Sequence, residues 1–111
     1  MLGMSRQEMY DLMMAHLRNQ KVRSETKSGC MYRGPNGLKC AIGALIPDSM
    51  YNEKMEGRSP EFLYENFKKL RIRKKDIDFL NDMQELHDTF LGSDQFEIEA
   101  KNIADKLGRY K

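Results

Sequence analysis

Apolar residues in this chain recur mostly at steps of three and four, the spacing of helices with one buried face. Met9, Leu12, Met13, His16 and Leu17 form a first stripe. "SRQE" just ahead of it, Ser5 to Glu8, is a capping-box pattern, so a helix is predicted from about residue 6 to 19. "NQKVRSETKSG" then breaks the pattern and reads as polar loop. Phe62, Leu63, Phe67 and Leu70 form a second stripe, with Ser59 as cap and Pro60 at the first helical position. Ile77, Leu80, Met83, Leu86, His87 and Phe90 form a third, read as the longest helix and ending near Gly92. Phe96, Ala100, Ile103 and Leu107 form the last, with Asp94 and Glu97 as a second capping box and Gly108 as the stop.

The middle of the chain departs from this rhythm. In "YRGPNGLK", Pro35 presets the φ of the second position of a type I turn and Asn36 suits the third. Gly37 then takes positive φ, giving a hairpin with a glycine bulge. Short strands are predicted near 30–33 and 38–41, with Tyr32 facing Cys40 and Cys30 facing Ile42. "CAIGALIP" is apolar and rich in small side chains, a short buried helix that Pro47 ends. Asp48 or Ser49 caps one further turn, which Gly57 closes. The pattern as a whole predicts a mainly α protein: a compact bundle of four to five helices with one small β-hairpin near residues 30–41, in a single domain over 1–111.

Composition narrows the class. The 111 residues are 40% hydrophobic and 32% charged, the mix of an ordinary folded domain. No apolar run approaches the roughly 18 residues of a membrane span. The N-terminus lacks the basic-then-apolar order of a signal peptide, so a cytoplasmic protein is expected. Met1–Gly3 are read as a leader ahead of a start at Met4. A net charge of +2 is too weak to imply nucleic acid and argues against an acidic DNA mimic. Most of the nine methionines are read as core filler. Six positive charges fall within "KKLRIRKK", Lys68 to Lys75, but no aromatic residue interleaves them and Asp76, Asp78 and Asp82 follow. A solvated connection is the preferred reading of that run over a phosphate-contacting patch.

Four chemistries compete for the polar residues. Cys30, Cys40, His16 and His87 make up a Cys2His2 set. They are scattered and both His lie on helical stripes, so a structural role is preferred and no metal or cofactor is expected. A disulfide is disfavoured by the reducing compartment and by the hairpin register, which leaves the cysteines diagonal at about 7–8 Å. Cys40, beside Lys39 and a helix start, is the candidate nucleophile of a Cys/His enzyme, but no third orienting group stands at a recognisable spacing. Arg33, Asn36, Gly37 and Lys39 surround a glycine turn whose amides and cations suit a small anion, although the spacing is not that of a P-loop.

"YRGPNGLKCAIGALIPD" with "YNEKMEG" after it, and a Cys two before the Tyr, resembles a family of small proteins from tailed phages and bacterial genomes. Its central motif reads C-x-YRGP-x-G-x-KCAIG-x-LIPD. "LHD" (Leu86–Asp88) and "IADKLG" are looser echoes, and the match covers about a quarter of the chain. The resemblance implies a phage or prophage setting without an assigned activity, and draws attention to Tyr32, Arg33, Asn36, Lys39, Cys40 and His87. The leading functional expectation is an accessory protein that binds a host protein, perturbing a defence or metabolic enzyme. The alternatives are a binder of a nucleotide or other small anion at the Arg33–Lys39 turn and a Cys/His enzyme. The expected working surface is Tyr32, Arg33, Asn36, Gly37, Lys39 and Met55, an aromatic and two cations on a turn held by a scaffold.

Overall fold

The capping box forms as its spacing requires. Ser5 Oγ accepts the Glu8 N–H and Glu8 Oε1 accepts the Ser5 N–H, opening helix α1 (Arg6–Gln20). The buried face is Met9, Met13, Met14 and Leu17, whereas Leu12 is exposed. The computed structural model describes residues 1–111. A two-stranded antiparallel hairpin follows, β1 (Glu25–Thr26) and β2 (Gly29–Cys30). Beyond it the chain crosses the domain in irregular segments and single helical turns at Pro35–Gly37, Gly43–Leu45 and Glu53–Met55. Helix α2 (Pro60–Asn66) has Ser59 as cap, its Oγ accepting the Phe62 N–H, and Pro60 at its first position. Helix α3 (Ile77–Glu85) runs on into a π-helical turn, Leu86–Phe90. Helix α4 (Phe96–Asp105) ends the bundle.

The architecture is therefore mainly helical, with four helices and one small hairpin. Helix α1 packs on the Gly43–Leu45 turn, α2 and α4 pack against α3, and α4 also packs on the π-turn. One core cluster draws on all of them, with Phe79, Leu80, Met83, Met9, Met13, Leu17 and Ile42 fully buried. Buried Asp76 joins the start of α1 to the basic run, accepting from Arg6 Nε at 2.8 Å and Arg73 Nε at 2.7 Å. No helix is long and apolar enough to cross a membrane.

Four local expectations are corrected. The hairpin lies at 25–30, not 30–41. Arg33 and Lys39 do form an isolated bridge in the expected register, but no ladder extends from it. The donor that the next rung needs is spent: Glu56 accepts the Tyr32 N–H at 2.8 Å, and the Arg33 and Lys39 N–H groups, which point away from the partner strand, go to Glu56 and Gln20. The turn itself is not a type I turn with a bulge. Asn36 (φ 59) and Gly37 (φ 77) are both left-handed and the Leu38 N–H returns to Pro35 O, a type I′ turn, the form Asn-Gly favours. The second capping box is absent, because Glu97 reaches across to Arg18 at 2.7 Å and Gly108 lies inside a last helical turn, Leu107–Arg109. Met1–Gly3 are not outside the fold, since Met1 is buried in the core and the Leu2 N–H donates to Leu70 O.

Candidate functional site

The turn expected to form the working surface is largely built into the protein. Tyr32 is 4% exposed and its hydroxyl donates to Arg58 O at 2.5 Å. Met55 is fully buried. Both leave the expected surface, Tyr32 because it lies under the 40–46 segment, where Gly43 packs against its carbonyl. Arg33 is half-buried; both terminal nitrogens of its guanidinium are engaged, while its buried Nε–H has no partner. Nη1 pairs with Asp48 at 2.6 Å, Nη2 donates to Ile46 O at 2.7 Å, and the group stacks on Tyr51. Asn36 and Gly37 are exposed at the tip, and Lys39 is half-buried with no carboxylate within ion-pair distance of its ammonium.

The four Cys2His2 residues do not converge. His16 Nε2 hydrogen-bonds Lys39 O at 2.9 Å. Cys40 is fully buried, and its sulfur accepts the Gly43 N–H at 3.3 Å and the Gln84 amide. Burial pushes its thiol up to about 12, so the residue singled out as nucleophile is inert. Both cysteines are free. The structure instead gathers Cys30, His87 and Asp88, whose ligating atoms lie within 4.8 Å of one another. Asp88 is the orienting group that the sequence reading lacked. Its one signal was its place directly after His87.

The π-turn arranges this cluster. It buries His87 completely while leaving Asp88 at the surface, and such turns often mark functional positions. His87 Nε2 faces the Ser24 N–H at 2.9 Å. A backbone N–H can only donate, so Nε2 is the acceptor and the ring proton sits on Nδ1, donated to Asp88 Oδ1 at 2.7 Å. The Cys30 sulfur lies within 4.8 Å of the Asp88 carboxylate. Burial first, and Asp88 second, push that thiol up to about 12. This geometry does not fit a metal held by all three residues. Ligation through Nδ1 would move the proton to Nε2, against the Ser24 N–H. It also leaves His87 with no lone pair to take the Cys30 proton.

The largest concavity lies elsewhere. A cleft of about 440 Å³ opens between the 49–55 segment and the C-terminal end of α2. Met50, Tyr51, Met55, Phe67 and Leu70 supply its apolar lining, and Lys68 and Lys69 its cations. Neither lysine pairs with a carboxylate, and Lys68 lies 4.9 Å over the Tyr64 ring. Met55 thus belongs to the lining of a binding-sized cleft rather than to the turn. No protein-family model matches the chain, and neither does any curated protein or any solved structure.

Proposed function

We propose that this is a binding protein that acts by protein–protein interaction through the Tyr51–Leu70 cleft. One observation carries the reading: the largest cleft combines an aromatic and methionine lining with two lysines that pair with no carboxylate in the fold. Such a surface suits an acidic segment that inserts an aromatic or aliphatic anchor and meets Lys68 and Lys69 with its carboxylates. In the phage setting that the central motif implies, the partner is a host protein in the cytoplasm and the consequence is its inhibition. The anion-binding reading of the Arg33–Lys39 turn has less support, because both terminal nitrogens of Arg33 are already engaged by Asp48 and Ile46. The Cys/His enzyme has less support because the thiols are held protonated and His87 has no free lone pair.

The test is a quantitative binding comparison with whatever single protein copurifies from the host at constant stoichiometry. Lys68→Glu with Lys69→Glu should weaken that complex by more than about 1 kcal/mol, roughly fivefold or more, and Phe67→Ala should do the same. Arg33→Ala with Lys39→Ala should matter less once its fold is confirmed. A complex indifferent to the cleft variants but lost with the turn pair would place the interface at the turn instead.

A further inference from the structure

Beside the Cys30 cluster lies a second, smaller cleft of about 220 Å³, lined by Cys30, Tyr32, Gly57, Arg58, Gln84 and Asp88. These residues come from β2, the segment after it, the loop before α2, α3 and the π-turn. The lining has an acceptor side, Tyr32 and Asp88, and a donor-bearing side, Gln84 and Arg58. The His87 Nδ1–H goes to Asp88, the Tyr32 O–H goes to Arg58 O, and the Cys30 sulfur lies within 4.8 Å of the Asp88 carboxylate. Tyr32 and Asp88 therefore retain acceptor capacity only. Asp88 carries the one carboxylate of the cleft, with its side chain 39% exposed, and no lysine or arginine lies within ion-pair distance of it. Its ring partner is neutral, so the charge is uncompensated, and it helps to hold the protons of Cys30, Tyr32 and Cys40. Arg58 stands at the rim, but its guanidinium is laid over the Phe62 ring at 4.6 Å.

We propose that this cleft binds a guanidinium group, with Asp88 as its counter-ion and the Cys30 sulfur and Tyr32 hydroxyl as its neutral walls. A guanidinium is all donor and matches the Tyr32 and Asp88 oxygens of this cleft, and a carboxylate takes it in a two-point pair. The cleft is smaller than the roughly 300 Å³ at which drug-sized ligand sites begin, so it takes the tip of a molecule or a very small one. Two sources fit, a free guanidino compound or an arginine side chain of a partner. The site is independent of the Tyr51–Leu70 cleft and stands or falls separately from it.

Amide NMR at low ionic strength tests this with methylguanidinium, the capped peptide acetyl-Gly-Arg-Gly-amide, and its citrulline counterpart, which keeps the shape and loses the charge. Saturable shifts at Cys30, Gln84 and Asp88 are expected with the first two and none with citrulline. Asp88→Asn should weaken binding at least tenfold, because Asn Oδ1 still accepts the His87 proton while the charge is gone. A peptide that binds about tenfold more tightly than methylguanidinium points to a partner's arginine, and equal binding points to a free compound. Should Asp88→Asn fail to fold, Arg58→Ala decides: removing the like charge at the exposed rim should tighten binding roughly twofold or more. No saturable shifts at these residues, binding of citrulline equal to arginine, unchanged affinity in folded Asp88→Asn, or no tightening in Arg58→Ala each overturns the proposal.

Discussion

Replacing Gly43 by alanine should be the most damaging single-methyl change in this protein. Gly43 is fully buried in the turn that packs on α1. A Cβ at this position would lie 2.1 Å from the Tyr32 carbonyl oxygen and 2.9 Å from its carbon, well inside contact distance and against backbone. Neither side can yield cheaply. The Tyr32 N–H is held by Glu56 at 2.8 Å and its hydroxyl by Arg58 O at 2.5 Å. Across from it, the Gly43 N–H is held by Cys40 and the Ile42 N–H by Gln84 at 2.9 Å. Relief needs the two segments to separate by about 1 Å, with one or two of these bonds given up at ~1 kcal/mol each. Overpacking adds ~1–3 kcal/mol, and the usual Gly→Ala gain of ~0.4–1 kcal/mol from the unfolded chain offsets part of it. The net loss is about 2–4 kcal/mol, a fall in melting temperature of roughly 10–25 °C for a domain of this size. Calorimetry of the variant and the wild type gives the number directly. A midpoint within about 2 °C of wild type would show that Tyr32 and Gly43 do not approach each other as described.

Gly37→Ala has open space around it but a φ of 77°, so it should cost more than about 1 kcal/mol from backbone strain alone and still less than Gly43→Ala; equal midpoints for wild type and Gly37→Ala would remove the type I′ turn. Iodoacetamide at pH 8 should label Cys30 slowly and Cys40 only after unfolding, as two free thiols held protonated require; an unlabelled protein two daltons light would reveal a bridge. Both thiols are raised from an ordinary 9.0 to about 12, so the folded state holds protons that the unfolded chain loses. Stability is then full below about pH 9 and falls as pH rises from there toward 12; urea midpoints that stay level between pH 8 and 10.5 contradict that sign. Asp76→Ala leaves Arg6 without its buried partner and should cost about 2–3 kcal/mol, less than the full loss of a wholly buried pair because Arg73 is half-exposed; a urea midpoint unchanged from wild type would dismiss the pair as structural glue.

The helical part of this fold was legible because its rules are local. Ser5 with Glu8, and Ser59 with Pro60, act within one turn of chain, and the residues that answer them are three positions away. The same pattern failed at Asp94 and Glu97, where the competitor was Arg18, far off in sequence. A capping signature says which bond is available, not which distant partner outbids it. The hairpin failed for a related reason. Its register could be read from the Asn-Gly turn, but the extension of its strands depended on Glu56, which captures the Tyr32 N–H that a ladder would use. The Cys30–His87–Asp88 cluster spans more than half the chain with no spacing rule to announce it.

These failures share one physical cause, and it separates structural polar residues from a functional one. The segment from Ser24 to Ile46 has almost no regular structure, so its backbone must find partners elsewhere. Polar side chains from the surrounding elements supply them. Gln20 takes both the N–H and the C=O of Lys39. Gln84 takes the Ile42 N–H, His87 takes the Ser24 N–H, and Glu56 takes those of Tyr32 and Arg33. Each of these side chains has a sufficient structural reason to be polar where it is, and a binding role for any of them would be an addition. Asp88 differs. Its carboxylate bonds the side chain of His87, lies beside the Cys30 sulfur and satisfies no backbone group. No main-chain group donates to it, yet the π-turn places it, with no lysine or arginine within ion-pair distance, at the mouth of a cleft. A charge that the backbone does not need is the place to look for a ligand.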